Sequence, residues 1–350
     1  MKVAVVLFNL GGPDGPDAVR PFLFNLFNDR AIIGLPQPFR WLLAQVISRR
    51  RTKVAQKIYD QIGGWSPLLQ GTRTQAAALE DALGATGDFK VFIAMRYWHP
   101  MAEETAKHVR DYGPDRIILL PLYPQFSTTT TGSSLTDWRR AAKKAGLEAP
   151  THAVCCYPTD PDFTRAVSRL SAAAIQKAVE TAPPRVLFSA HGLPQKIVDA
   201  GDPYPLHITQ SVKAIVEDLA QEGLDWVICY QSRVGPLQWI GPSTEDEIAR
   251  AAQDGRSIVM VPISFVSEHS ETLVELDIEY RDLAESLGVT AYERVPTVSD
   301  DGVFIGGLKN LVLAALNGGD SAAAPAISSG DGKRMCPQSC PTCPQGKFHV

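Results

Sequence analysis

At 350 residues the chain is long enough for about two domains. With 45% hydrophobic and 21% charged residues it has the composition of a globular protein with a full core. Its formal net charge is -4 and no long basic block occurs, which argues against sequence-independent binding of nucleic acid; nor does any apolar run reach the roughly 18 residues that a membrane-spanning helix needs.

The first predicted element is a strand over Val3–Phe8, running into the Gly11-Gly12-Pro13 turn as a core strand does and a secretory leader does not. The glycines of "NLGGPDG" lack both the G-x-G-x-x-G spacing and a Walker lysine, so nucleotide binding is not favoured. Pro21–Ile47 follows, crowded with Phe22, Phe24, Phe27, Ile32, Ile33, Leu35, Phe39, Trp41 and Leu42 and interrupted by Pro36 and Pro38. Helices could bury these residues. Their density exceeds what one helical face needs, however, and "SRRRTK" (Ser48–Lys53) adds a basic patch suited to an anionic lipid surface.

Further strands are expected at Lys90–Met95, Arg116–Leu120, Thr151–Cys155, Arg185–Ser189, Trp226–Tyr230, Ser257–Pro262 and Val289–Tyr292, with helical patterns between most of them, such as Pro161–Val179, Leu206–Gln221 and Thr244–Ala252. The alternation predicts an α/β protein with parallel sheets covered on both faces, and two open sheets fit the length better than one barrel. An internal echo supports two similar halves: "VLFNLGG" from Val6 against "VLFSAHG" from Val186, and "IILLPL" from Ile117 against "IVMVPI" from Ile258. The boundaries expected are 1–155 for an N-terminal α/β domain carrying the apolar lip, 156–317 for a C-terminal α/β domain, and 318–350 for a tail. Asn317–Arg334, rich in Gly, Ser, Ala and Pro, reads as a linker.

Three features carry chemistry. His191 ends a buried strand before Gly192 and Pro194, at a position where α/β sheets present reactive groups; a general base and a metal ligand are both open to it. "SEHSETLVELDIEY" holds Glu268, Glu271, Glu275, Asp277 and Glu279 with no basic residue among them. At ~100° per residue, Glu268, Glu271, Glu275, Glu279 and Asp282 share an arc of roughly 80°. Either this is a solvated helix face or it is a path for a hard divalent cation or for protons, since like charges at i,i+4 repel. Lastly, "CPQSCPTC" spaces Cys336, Cys340 and Cys343 as three thiolate ligands of a metal site, with zinc and an iron–sulfur cluster equally compatible. Cys229 lies inside a strand pattern and reads as a core thiol.

Several of these segments, taken in order, resemble the ferrochelatases, which insert ferrous iron into protoporphyrin. They are "NLGGPDGPDAVRPFLFNLFND", "IGGWSP", "MRYWHP", "LPLYPQFSTTTTGSS", "FSAHGLP", "DPYP", "YQSRVGPLQWIGP" and "SEHSETLVELDIEY", and they cover nearly the whole chain. The resemblance implies two similar doubly wound, Rossmann-like domains with a porphyrin cleft between them. It implies His191 and Glu271 as the catalytic pair that also meets Fe²⁺, with Glu271 across the cleft from the histidine. Glu275, Asp277 and Glu279, with His269 beside them, would form a proton or metal path on a helix widened by a π-type turn. Leu10, Arg96 and Tyr97 would contact the porphyrin, and Trp239 would either wall the cleft or belong to the core.

The resemblance further implies an iron–sulfur tail: a [2Fe-2S] cluster on Cys336, Cys340 and Cys343, with Cys156 or Cys155 as fourth ligand, because Thr128 stands where animal-type members carry that cysteine. Substrates would be protoporphyrin IX and Fe²⁺. A cytoplasmic location is expected, with peripheral contact to the inner membrane or to a membrane-bound porphyrin-making enzyme; a homodimer is compatible with the sequence. A coproporphyrin or cobalt chelatase, and a tetrapyrrole or metal carrier without turnover, are the competing readings.

Overall fold

The computed structural model describes residues 1–233, 235, 237–317, 327–330, 334–337 and 340–344. Among them lie nine strands: β1 (Lys2–Asn9), β2 (Asp88–Met95), β3 (Arg116–Pro121), β4 (Thr151–Cys156), β5 (Pro184–His191), β6 (Asp225–Gln231), β7 (Ser257–Pro262), β8 (Tyr292–Arg294) and β9 (Ile327–Ser329). They form two fully parallel sheets, ordered β2-β1-β3-β4-β9 and β6-β5-β7-β8. Parallel strands need crossovers, and helices supply them, so both faces are covered and the strands become continuous apolar runs. Val3 to Phe8 of β1 are all at most 1% exposed.

The internal echo has a structural counterpart. β1 and β5, which carry the matching "VLF" segments, each lie second in their sheet; β3 and β7, which carry the second matching pair, each lie beside them. The first four strands of one sheet and the four of the other thus share one order.

The chain forms two compact units. One comprises Met1–Tyr157 with Leu308–Met335 and Thr342–Val350; the other comprises Pro158–Gly307 with Cys336–Pro341. The first is cored by Ala4, Val6, Phe8, Leu119, Leu135 and Trp138. The second is cored by Leu187, Cys229, Ile248, Met260, Leu276 and Tyr280. Its helix Pro161–Val179 starts where expected because Asp160 caps it, accepting the N–H groups of Asp162 and Phe163, with Pro161 at the first helical position.

Two expectations need correction. Val289–Tyr292 was expected as the last strand, but the strand runs Tyr292–Arg294; the helix before it ends at Ser286, Gly288 (φ +83°) turns the chain, and pairing with β7 begins only at Tyr292. The segment from Asn317 was expected to be a linker outside the domains. Instead β9 extends the first sheet, pairing Ala153 with Ile327; residues 318–326 and 331–333 of that segment lie outside the described residues.

The apolar Pro21–Ile47 segment divides by environment. Phe22 and Leu23 are buried with Val19, Tyr59 and Tyr97, as the core reading requires. Phe39 (63%), Trp41 (45%) and Leu42 (53%) stand exposed on the helix Phe39–Asp60, together with Leu43 and Val46, and Leu35 is exposed just before it. Arg49, Arg50 and Lys53 are exposed further along that helix.

Candidate active site

His191 is the last residue of β5, aligned with Gln231 at the end of β6. Its backbone N–H donates to Ser264 Oγ (3.2 Å), and its ring Nδ1 lies 2.9 Å from Glu271 Oε2. A carboxylate only accepts, so Nδ1 carries the shared hydrogen and the neutral ring keeps its acceptor lone pair on Nε2. The side chains are 39% and 27% exposed, so the pair is sheltered yet reachable. Burial alone pulls the imidazole pKa down, but the charge and hydrogen bond of Glu271, aided by Glu275, raise it above its ordinary value. Burial likewise pushes Glu271 up, but the charge and hydrogen bond of His191, with those of His269, hold it well below the usual carboxylate range. The residue after the histidine has to be glycine: a Cβ on Gly192 would lie 2.9 Å from the Gln231 carbonyl oxygen and 3.3 Å from Trp239 Cε3.

Glu271 opens a π-helix, Glu271–Glu279, the widened turn that the resemblance implied. Glu275, one turn on, is held from several sides. The backbone N–H of Ser232 donates to its Oε1 (2.7 Å), Gln231 Nε2 donates to its Oε2 (3.0 Å), the Ser232 hydroxyl also donates to Oε2, and the Tyr280 hydroxyl lies 3.1 Å from Oε1. Ser232 makes both its bonds from a left-handed backbone (φ +60°), a conformation that a non-glycine residue adopts at a cost. Burial first, then the charge of Glu271, raises the Glu275 carboxyl. His269 is buried, with Nδ1 3.2 Å from the Ser267 carbonyl and Nε2 3.8 Å from Glu271 Oε2.

The acidic stretch departs from the sequence reading in three ways. It is not uncompensated: Arg294, on β8, meets Glu268 at 2.6 Å and grips Asp277 with Nε at 2.8 Å and a terminal nitrogen at 2.6 Å. Both Asp277 oxygens are therefore occupied, so Asp277 does not continue a row from Glu271 and Glu275; Glu279 is exposed. Nor does Glu271 stand across a cleft from His191, since the two are direct hydrogen-bond partners within the second unit.

Trp239 sits beside the histidine loop. Its backbone bridges Pro194, Ile240 N–H donates to the Leu193 carbonyl, and its indole N–H is buried without a partner among the described residues. In the first unit, Leu10 is partly buried against the cluster containing Phe22, Leu23 and Tyr97. Tyr97, expected as a porphyrin contact, is fully enclosed, and its hydroxyl donates to Asp29 Oδ2 (2.7 Å). Arg96 also converges on Asp29 (2.9 Å), with its Nε donating to Ser133 Oγ (2.6 Å). Arg96 and Asp29 line a charged cavity of about 680 Å³ together with Glu103, Lys107 and Arg140. Sequence reasoning missed Asp29 and Ser133; the only signal for them was their place in the "LFND" and "TTTTGSS" segments.

Among the described residues none of the six cysteines forms a disulfide. In the second unit, Cys336 Sγ lies 3.4 Å from His207 Nε2, and Cys340 Sγ lies 3.5 Å from the Gly201 carbonyl. In the first, Cys155 and Cys156 are buried with their sulfurs 3.4 Å apart, packed with Phe126 and Met335, and Cys343 is buried. Cys229 is fully buried and its thiol is pushed up to about 12, first by desolvation, as a core thiol requires. Among the described residues no set of three or more His, Cys, Asp or Glu side chains is arranged to hold a metal ion.

The chain resembles known proteins over most of its length. The ferrochelatase family model matches residues 2–316. A ferrochelatase of Phenylobacterium zucineum (strain HLK1) is 53% identical over 346 residues, covering 98% of each chain. One from Rickettsia bellii (strain OSU 85-389) is 48% identical over 344 residues, 98% of this chain and 94% of its own. One from Wolbachia sp. subsp. Drosophila simulans (strain wRi) is 54% identical over 315 residues, 89% of this chain and 99% of its own. Among solved structures, SirB from Bacillus subtilis with Fe³⁺ shares the fold at a TM-score of 0.51 and 14% identity, over 91% of this chain and 95% of its own. A match that runs almost from end to end and takes in the histidine strand and the π-helix leaves one conclusion: the chain belongs to the ferrochelatase family.

Proposed function

We propose that the chain inserts Fe²⁺ into protoporphyrin IX with release of two protons, forming protohaem as the last step of haem synthesis. The observation that carries this is the 2.9 Å contact between His191 Nδ1 and Glu271 Oε2. Metal insertion exchanges two pyrrole N–H protons for one dication, so a base must stand ready at the macrocycle. Glu271 fixes the ring so that Nε2 is the accepting atom, and its negative charge stabilises the imidazolium that forms. Glu275 and His269, beside the pair, are the groups through which protons or metal reach it; Fe²⁺ as substrate meets His191 and Glu271. Leu10, Arg96 and Trp239 remain the candidate porphyrin contacts, while Tyr97 acts by holding Arg96 through Asp29.

Anaerobic incubation with porphyrin and Fe²⁺ or Zn²⁺ tests the reading. Turnover gives many metalloporphyrins per protein; a tetrapyrrole or metal carrier gives at most one. Competition between protoporphyrin and coproporphyrin, and between iron and cobalt, separates the remaining chelatase alternatives.

Two further assignments belong to the proposal. Cys336, Cys340 and Cys343, with Cys156 or Cys155, would hold a [2Fe-2S] cluster. The supporting observation is the spacing of three soft donors in one short segment. Such a cluster, when bound, supplies a one-electron redox centre. The exposed Phe39, Trp41 and Leu42, followed by Arg49, Arg50 and Lys53, would rest on an anionic membrane surface on the cytoplasmic side. No described helix is long and apolar enough to cross a membrane, so the contact proposed is peripheral.

A further inference from the structure

A base that takes two protons per turnover must pass them on, and the line expected through Asp277 is closed where Arg294 occupies both of its oxygens. Another line starts at Glu275, one turn from Glu271 and near enough that the charge of Glu271 acts on its carboxyl. The Tyr280 hydroxyl lies 3.1 Å from Glu275 Oε1 on one side and 3.2 Å from Glu245 Oε1 on the other. The Tyr280 ring is buried in the core with Leu187, Ile248 and Leu276. Glu245 lies in the first turn of the helix Thr244–Gln253 and is exposed. A phenol has one hydrogen to donate, so it satisfies only one of two carboxylates, and the second contact is made good when the other carboxylate carries a proton. The arrangement is thus completed by one additional, transferable proton.

We infer that Glu275, Tyr280 and Glu245 form a proton relay that carries the pyrrole protons from the His191–Glu271 pair to the protein surface. The inference rests on the assignment of that pair as the reacting groups. In each pass His191 Nε2 takes a pyrrole proton and the Nδ1 proton moves to Glu271, from which one crosses the helix turn to Glu275; proton exchange of the partly exposed neutral ring with solvent, which has no net cost in protons, then restores the hydrogen on Nδ1 and the lone pair on Nε2. Protonated Glu275 then donates to the Tyr280 oxygen as the phenol hydrogen leaves for Glu245, and Glu245 releases a proton to solvent. Every carboxylate returns to its anion and Tyr280 remains a neutral phenol; two passes balance the entry of one dication. Two electrostatic features agree. Burial and the charge of Glu271 raise the Glu275 carboxyl, easing its protonation. Burial, then the charges of Glu275 and Glu245, holds the phenol far above its ordinary range, so the hydroxyl hands on a proton without ever resting as phenolate.

The test is the single-turnover rate of metal insertion in Glu245→Gln, whose site is exposed, and in Tyr280→Phe, which keeps the buried ring. Both should react about tenfold more slowly, with an unchanged dependence on metal concentration, and recover as imidazole buffer is added, because a small base replaces the missing relay. Glu285→Gln, which removes an exposed carboxylate from the helix Tyr280–Ser286 outside the relay, should react like the wild type. Wild-type rates in both relay variants would overturn the inference. So would a loss that imidazole does not restore, or one accompanied by weaker metal dependence, which would mark a metal path instead. His191→Ala reports separately: near-normal insertion in that variant refutes the assignment of the reacting pair, whereas an inactive His191→Ala beside normal Glu245→Gln and Tyr280→Phe refutes the relay alone.

Discussion

A histidine at the tip of a buried strand ordinarily loses affinity for protons, because desolvation disfavours the imidazolium. At His191 the sign reverses, since Glu271 lies within hydrogen-bond distance and Glu275 adds its charge. The raised histidine contributes stability that is fully present below its unfolded value and is lost as pH rises through the folded one. The depressed Glu271 contributes stability that is present above its unfolded value and is lost as pH falls through the folded one. The pair therefore stabilises the fold fully between roughly pH 4.3 and 6.5. An NMR titration of the His191 ring should give a midpoint above its ordinary value, falling in Glu271→Gln; a midpoint unchanged by that substitution would contradict the coupling. His191 and Glu271 are legible in the sequence because each follows a strand that apolar runs reveal. Asp29 is not, because its partners Arg96, Tyr97 and Ser133 come from distant segments that only the fold brings together.

At the scale of elements, the π-helix is the part that periodicity misjudges. Counting at an α-helical angle placed Glu268 and Glu275 on one polar face, whereas in the protein Glu268 and Asp277 belong to Arg294 and Glu275 belongs to Ser232, Gln231 and Tyr280. The compensating cation was invisible in the acidic segment because it arrives from β8, a strand that itself starts later than its apolar residues suggest. Arg294 is mostly buried, and removing it leaves Glu268 and Asp277 without their shared cation, with Glu268 still accepting the Thr297 N–H. Arg294→Ala should therefore lower stability by about 3 kcal/mol in urea unfolding, with β8 and the π-helix losing amide protection first. A loss below about 0.5 kcal/mol would place this triad among ordinary surface pairs.

For the whole molecule, the sheets were the most readable part. Buried parallel strands must be apolar throughout, so each declares itself as a short run, and the repeated "VLF" segments mark the same place in two sheets of the same order. The tail was less readable, because β9 is three residues long and gains its stability from β4 rather than from its own composition. The ferrochelatase family model matches residues 2–316, short of the cysteine segment. Protein purified anaerobically should show visible absorption bands of a [2Fe-2S] centre that dithionite bleaches, and Cys336→Ser should abolish them; a colourless, zinc-containing wild type would contradict the cluster. The exposed lip makes a separate prediction. Cosedimentation with vesicles containing anionic lipid should fall at least several-fold in Trp41→Glu/Leu42→Glu and weaken with salt; equal binding by the variant would assign the lip another role.

The account stands on one catalytic arrangement, and counting metalloporphyrins formed per protein tests it most directly. Wild type under anaerobic conditions should form many for each chain, while folded His191→Ala and Glu271→Gln form essentially none. A wild type that stops at one per chain, or near-normal rates in either variant, would contradict it.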